Sequence, residues 1–277
     1  MRRIILFVTA LAAAAAAGGG WLFEGKFGRR GTGDGEFNSP VRLAVAANDN
    51  VYVADWRNFN VQYFTPTGDY LGKWTPGDRV SVAFAPNRWL YVANVELNRV
   101  QYFDEKGSFR GEWGSAGSGN GEFNGPYGLA LAPNRNVYVA DTGNRRIQYF
   151  TSTGSFLGKW GGDDRPNDVA VASSGKAHVA YPPYMGVAVA PDTGYVYFAD
   201  YDNHRVQYFT GNGSFLGTFG KRGTGDGEFE QPSDVAFYNS GARLYVADTG
   251  NCRVEYFRRS DPAVSPTSLG RVKALFR

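Results

Sequence analysis

One phrase of fourteen residues occurs five times in the chain: VYVADWRNFNVQYF (Val51 to Phe64), LYVANVELNRVQYF (Leu90 to Phe103), VYVADTGNRRIQYF (Val137 to Phe150), VYFADYDNHRVQYF (Val196 to Phe209) and LYVADTGNCRVEYF (Leu244 to Phe257). Repetition on this scale constrains the fold more than any other feature, because a small repeated unit cannot bury its apolar faces alone and must stack on its neighbours. Each copy holds two runs rich in β-branched and aromatic residues, joined by Asp, Gly and Asn, and so reads as a β-hairpin. Adjacent apolar residues such as Tyr149 and Phe150 point to opposite faces of a strand, so both faces need cover. Asp55, Asp141, Asp200 and Asp248 end the first run, and Asn144, Asn203 and Asn251 follow three residues after their Asp. A scaffold with five equivalent turns needs five equivalent turn residues rather than five active sites. These residues are expected to be structural, their oxygens accepting backbone N–H groups.

A further short strand precedes each phrase (Leu43 to Ala46, Val82 to Ala85, Leu129 to Ala132, Val187 to Ala190, Val235 to Phe237), and another follows most of them (Tyr70 to Trp74, Phe109 to Trp113, Phe156 to Trp160, Phe215 to Phe219). Four short strands per unit describe a β-propeller blade, with the Ala/Val strand at the crowded axis and the aromatic strand at the rim. The marker Asp (Asn94 in the second copy) recurs after 39, 47, 59 and 48 residues. The longest interval holds two extra runs, Asn167 to Ala172 and Lys176 to Ala180, a blade reduced to its inner hairpin. The last blade lacks an outer strand, and Trp21 to Gly28 carries the same Gly-Lys-aromatic-Gly ending as Phe156 to Gly161. The fold class expected is therefore all-β: a propeller of six blade positions, the fourth a hairpin, closed by the N-terminal strand, which removes an exposed edge. Gly-rich segments (Gly28 to Phe37, Gly114 to Phe123, Gly220 to Phe229) lack the G-x-G-x-x-G spacing and precede no helix, so they are expected to be flexible connections rather than phosphate cradles.

The chain has 277 residues, of which 43% are hydrophobic and 16% aromatic, enough for a substantial core. Arg2 and Arg3 precede an apolar run from Ile4 to Ala17 and then small residues, the pattern of a cleaved secretory leader and too short for a membrane span. The expected organisation is a leader over 1–18, a propeller over 19–257 and a tail over 258–277, with secreted or periplasmic localisation and no integral membrane segment after cleavage. Without residues 1–18, 27 basic residues face 26 acidic ones, and the tail holds five of the former and one of the latter. The body is thus slightly acidic, a poor footprint for nucleic acid. Cys252 is the sole cysteine, which excludes an intrachain disulfide, and is read as a small buried residue of the second run.

The Asp-x-x-Asn-x-Arg-Val-Gln-Tyr-Phe phrase, the Pro40-Val41-Arg42-Leu43-Ala44-Val45 start and the Gly31-Thr32-Gly33-Asp34-Gly35-Glu36-Phe37-Asn38 linker resemble the NHL-repeat propellers over about residues 21–257. The resemblance implies the fold and leaves function open, since one propeller hosts many activities. Among similar architectures, the amidating lyases imply a zinc held by histidines, whereas this chain has only His178 and His204. Lactonase-like propellers imply Glu, Asn and Asp around a channel-bound divalent cation.

Aligning the inner strands on their Ala places Arg42, Ser81, Gly128, Asp168, Gly186 and Asp234 in one ring at the channel mouth. Asp168 and Asp234 are the candidate ligands for a hard cation such as calcium, and with Arg42 for a polar molecule. The alternative is structural, with the carboxylates capping backbone N–H groups and Arg42 pairing across to Asp234. Trp56, Tyr127, Tyr184 and Tyr201 are expected as exposed aromatics on the same face. The function expected is a monomeric, non-catalytic binding module for protein, peptide or glycan, with no cofactor and no catalytic residues. A metal-dependent hydrolase or lyase at the channel mouth is the second reading and RNA binding the third.

Overall fold

The computed structural model of the chain describes residues 20–260 other than 78, 86–88, 163 and 239–240. The expected leader and residues 261–277 of the tail lie outside the described residues. The chain is a β-propeller of antiparallel sheets, with four strands in order in the first three blades: β2 (Pro40–Val45), β3 (Val51–Asp55), β4 (Asn60–Phe64) and β5 (Tyr70–Trp74); β6 (Val80–Phe84), β7 (Leu90–Asn94), β8 (Arg99–Phe103) and β9 (Phe109–Trp113); β10 (Pro126–Leu131), β11 (Val137–Asp141), β12 (Arg146–Phe150) and β13 (Phe156–Gly161). A two-stranded sheet follows, β14 (Asp168–Val171) with β15 (Ala177–Ala180). Then come β16 (Tyr184–Val189), β17 (Val196–Asp200), β18 (Arg205–Phe209) and β19 (Phe215–Phe219). In the last sheet β20 (Pro232–Phe237), β21 (Arg243–Asp248) and β22 (Arg253–Arg259) are joined by β1 (Trp21–Phe27), which pairs antiparallel with β22. That makes five four-stranded blades and one hairpin sheet. The ladder carries β22 two residues past Phe257, because Trp21 and Leu22 pair with Arg259 and Arg258; the propeller therefore takes in residues expected in the tail.

The first strands of the sheets pack side by side: β2 beside β6 and β20, β10 beside β6 and β14, and β16 beside β14 and β20. Their small and branched side chains line a central cavity of about 210 Å³. Among the described residues no helix is long and apolar enough to cross a membrane.

A three-strand side-chain ladder explains why the repeat needs its particular residues. The second-strand Tyr lies opposite the third-strand Tyr, and that residue lies opposite a fourth-strand Gly: Tyr52, Tyr63 and Gly72 in the first blade, Tyr138, Tyr149 and Gly158 in the third, Tyr197, Tyr208 and Gly217 in the blade of β16 to β19. The two tyrosine rings stack at 5.2–5.4 Å with planes 13–14° apart in these blades. The third-strand ring then covers the glycine, where a Cβ would strike it. Gly25 of β1 lies under Tyr256 in the same way.

The Gly-rich segments are pinned rather than loose. Phe37, Phe123 and Phe229 are wholly buried and pack on Phe64, Phe150 and Phe257. Glu36, Glu122 and Glu228 turn back to accept the amides of Gly33, Gly119 and Gly225 at 2.8–3.0 Å. Third-strand Gln62 and Gln148 accept the amides of Gly35 and Gly121, a service that Glu255 gives Gly227. The sequence expectation of flexibility counted glycines without counting these acceptors.

Candidate functional site at the channel mouth

The strand register confirms a common level for most of the sequence-derived ring. Arg42, Ser81, Gly128, Asp168 and Asp234 each pair with the Ala that stands at the same place in the second strand: Ala54, Ala93, Ala140, Ala180 and Ala247. Gly186 sits in an irregular step of β16 between Tyr184 and Val187.

The two carboxylates are built into the seams between sheets. Asp168 accepts the following amide of Val169 at 2.9 Å and, across the seam, the amide of Val187 in β16 at 3.2 Å. Asp234 accepts Val235 N–H at 2.9 Å and Leu43 N–H of β2 at 2.8 Å. On the other side each aspartate fills the space over a glycine, Asp168 over Gly128 and Asp234 over Gly186, where any Cβ would collide with it. An Asp in one strand thus requires a Gly in the preceding one.

Arg42 is 1% exposed and does not pair directly with either aspartate, contrary to the pairing expected with Asp234. Its Nη1 donates to the carbonyls of Met185 (3.1 Å) and Ser233 (3.4 Å), and its Nη2 to that of Asn167 (3.1 Å). The guanidinium reaches across the axis because the inner strands expose carbonyls there that a planar, multidentate donor can satisfy together. Its Nε has no hydrogen-bond partner, and its Cζ lies 5.3 Å from the Tyr127 ring centroid. Burial opposes the arginine's charge, but the fields of Asp168 and Asp234 outweigh it and raise its pKa. Burial raises both carboxyls; Asp234 reaches about 7, with Arg42 pulling it down and Asp168 pushing it further up. Among the described residues no three His, Cys, Asp or Glu side chains converge as a metal set.

The turn residues are a separate, buried system. Asp141 accepts Asn124 N–H (2.8 Å), Asn144 Nδ2 (2.9 Å), Arg146 Nε (2.6 Å) and Gln148 Nε2 (3.0 Å). Asp248 binds Glu230 N–H, Asn251 and Arg253, and Asp200 binds Asn203, Arg205 and Gln207. Asp55 accepts the amides of Asn38 and Ser39 and the side chain of Asn58.

The four aromatics are half-buried rather than exposed, because they pack on one another and on the sheets. Trp56 donates to Val80 O across the first seam at 2.8 Å and meets Tyr127 edge-on at 5.0 Å. Tyr184 packs on Phe198 at 5.0 Å. Burial raises the pKa of both Tyr127 and Tyr201, against the pull of Arg42 and then Arg79 on the first; Asp202 adds to the rise of the second and Arg57 opposes it.

The variable residue that ends each Asp turn has one backbone conformation in all five copies: Phe59, Asn98, Arg145, His204 and Cys252 all adopt left-handed backbone, with φ of 51–55°. Asn98 Oδ1 accepts Gly125 N–H at 2.7 Å and His204 Nδ1 accepts Gln231 N–H at 3.0 Å, each tying its turn to the next blade. Cys252 is buried at this turn position, not in the strand where the sequence placed it.

The NHL repeat family model matches residues 37–64 and 123–150. No curated protein sequence matches the chain significantly. Among solved structures, a hydrazine synthase chain from Kuenenia stuttgartiensis superposes with a TM-score of 0.61 at 13% identity, covering 82% of this chain and 97% of that one. Virginiamycin B lyase from Staphylococcus aureus gives 0.56 at 13% identity over 80% and 95% of the two chains, and a streptogramin B lyase 0.59 at 12% over 87% and 98%. At these identities the likeness is one of fold.

Proposed function

We propose that this NHL-repeat β-propeller is an exported, monomeric binding module without catalytic activity, and that the face carrying the Asp turns receives a protein, peptide or glycan. The observation behind this reading is the state of the channel mouth. Both carboxylates there are engaged by amides from two sheets, and the guanidinium between them donates to three carbonyls. Groups so committed hold blades together and are poorly placed to act on a substrate. Around them the same face presents Trp56, Tyr127, Tyr184 and Tyr201, amphipathic rings suited to recognition. The scaffold we infer has six blade positions, with the β14–β15 hairpin as the fourth and β1 closing the ring. The Gly25–Tyr256 contact, which reproduces the contact of the other four-stranded blades, supports that closure.

The second reading is a metal-dependent hydrolase or lyase. It is favoured by one feature, a buried carboxyl with a pKa of about 7 beside an arginine with an unpartnered Nε. Secreted material would first be sized by mass spectrometry, where cleavage between Ala15 and Trp21 is expected and a chain starting at Met1 would oppose export. Peptide and glycan arrays, RNA oligonucleotides and calorimetric titration with calcium would then be applied to the mature protein. Array binding lost in Tyr127→Ala and Tyr201→Ala variants, with no calcium heat, supports the module. Stoichiometric cation binding that disappears in the Asp168→Asn, Asp234→Asn double variant supports the enzyme.

A further inference from the structure

Three features mark the seam between the first two blades. First, like the seams into β14 and β16 and unlike those into β2, β10 and β20, it has no Gly-rich segment with a buried phenylalanine: β5 and β6 are joined by residues 75–79. Second, the left-handed turn residue at this seam is Phe59, which has no polar atom to match the interblade bonds of Asn98 and His204. Its side chain is 47% exposed although φ is 55°, a backbone state that costs a bulky residue more than it costs Asn. Third, a groove of about 670 Å³ opens here, lined by Asn38, Ser39, Trp56, Arg57, Phe59 and Arg79.

The groove is cationic on its rim and aromatic in its wall. Arg57 is exposed and pairs with no carboxylate among the described residues. Arg79 has a side chain 60% exposed and only a long contact of 3.6 Å with the equally open Glu96; Asp78 lies outside the described residues. Trp56 is held rigid by its bond to Val80 O, so that wall is pre-formed. Two arginines without firm partners among the described residues, beside one exposed aromatic on a strained turn, match a ligand offering carboxylates next to an apolar side chain.

We propose that this seam is the docking groove for an acidic, extended peptide segment of a partner protein, its carboxylates paired with Arg57 and Arg79 and an apolar side chain against Phe59. The inference rests on the binding-module reading and narrows it to one groove and one ligand chemistry. Peptide is favoured over nucleic acid because two rim arginines on an otherwise near-neutral body do not make a phosphate track.

The test uses the full mature chain and a fluorescein-labelled peptide, Glu-Glu-Phe-Glu-Glu-Leu-Glu, read by anisotropy, with a Lys-for-Glu peptide and a single-stranded RNA decamer as comparators. The acidic peptide is expected to bind, to weaken with salt, and to lose at least tenfold in affinity in R57E and again in R79E. Phe59→Asn, which installs the residue found at the equivalent Asn98, should unfold at a higher denaturant concentration than the parent and still bind at least fivefold more weakly. This variant separates loss of docking from loss of folding. Binding that survives all three substitutions but fails in Tyr127→Ala would overturn the groove and leave the module intact. Equal binding of the lysine peptide, tighter binding of the RNA, or no binding of the acidic peptide would each overturn the groove as well. Only silence on every array would also remove the module.

Discussion

Glu255→Gln should make the protein more stable above neutrality and leave it nearly unchanged in mild acid. Gln62, Gln101, Gln148 and Gln207 occupy this third-strand position in four blades, and Glu255 alone carries a carboxyl. It is wholly buried, which pushes its pKa up from 4.5 to about 7 against the pull of Arg253 and of the Gly227 amide. The folded state therefore holds this proton more tightly than the unfolded chain. Between about pH 4.5 and 7 the folded protein binds more protons, so stability falls as pH rises through that window and the penalty is complete above it. At about 1.4 kcal/mol per pKa unit, the full penalty is roughly 3 kcal/mol.

A glutamine removes the titration and restores a donor. Gln148 Nε2 donates to Glu122 O at 2.6 Å, and Glu228 O is the matching carbonyl in the last blade. The lost partner is Arg253, whose Nη2 lies 2.7 Å from Glu255 Oε1. That arginine keeps Asp248 at 2.7 Å and the carbonyls of Thr224, Gly225 and Glu228. Equilibrium urea unfolding at pH 5 and pH 8 should give a gain of about 2–3 kcal/mol at pH 8 and under about 1 kcal/mol at pH 5. Asp234 titrates in the same direction and range, so the parent keeps part of its slope in the variant. Equal gains at both pH values, or a loss at pH 8, would show that Arg253 holds Glu255 ionised throughout.

Three other outcomes follow from the same contacts. Asp141→Ala removes the acceptor of Asn124 N–H, Arg146 Nε and Gln148 Nε2 and should cost about 1–3 kcal/mol in urea unfolding, whereas a loss under about 0.5 kcal/mol would mean that the turn network carries little. Gly72→Ala puts a Cβ 2.7 Å from the Tyr63 ring and should cost about 1–3 kcal/mol; a neutral result would break the Tyr-Tyr-Gly ladder as an explanation of the repeat. Deleting Trp21 to Phe27 removes the partner of β22 and bares an edge, so lower stability and self-association on size-exclusion chromatography are expected, and an unchanged monomer with an unchanged melt would assign β1 no part in closure.

What the sequence disclosed and what it hid divide along a physical line. Repetition exposed the strands, the Asp turns and the inner-strand ring, because one blade's residue types can be checked against four others. It did not disclose how Arg42 is used. A lone arginine among acids suggests an ion pair, yet backbone carbonyls of three neighbouring strands lie within reach of its planar fork and no linear pattern records them. The Gly-rich segments misled for a similar reason: their order comes from Glu36, Glu122 and Glu228 folding back over glycines, a contact three residues long that composition alone reads as looseness. The left-handed conformation of the variable turn position was not legible because Phe, Asn, Arg, His and Cys share no chemistry, only a φ angle.

That last position shows where a repeat protein places what is particular to it. At a site where the backbone favours Asn, Asn98 and His204 use their side chains to join blades, so the fold itself benefits. Phe59 does neither: it makes no interblade hydrogen bond, and it leaves an aromatic ring half in water beside Arg57. Glu255 is likewise the costly choice where four sister residues are Gln. A propeller with this much internal redundancy tolerates a few such departures, because each blade contacts only its neighbours and the ladders elsewhere are intact. Stability alone would disfavour both, but Phe59 is exposed on the face that carries the Asp turns whereas Glu255 is wholly buried, so only the first stands where the proposed peptide would reach it.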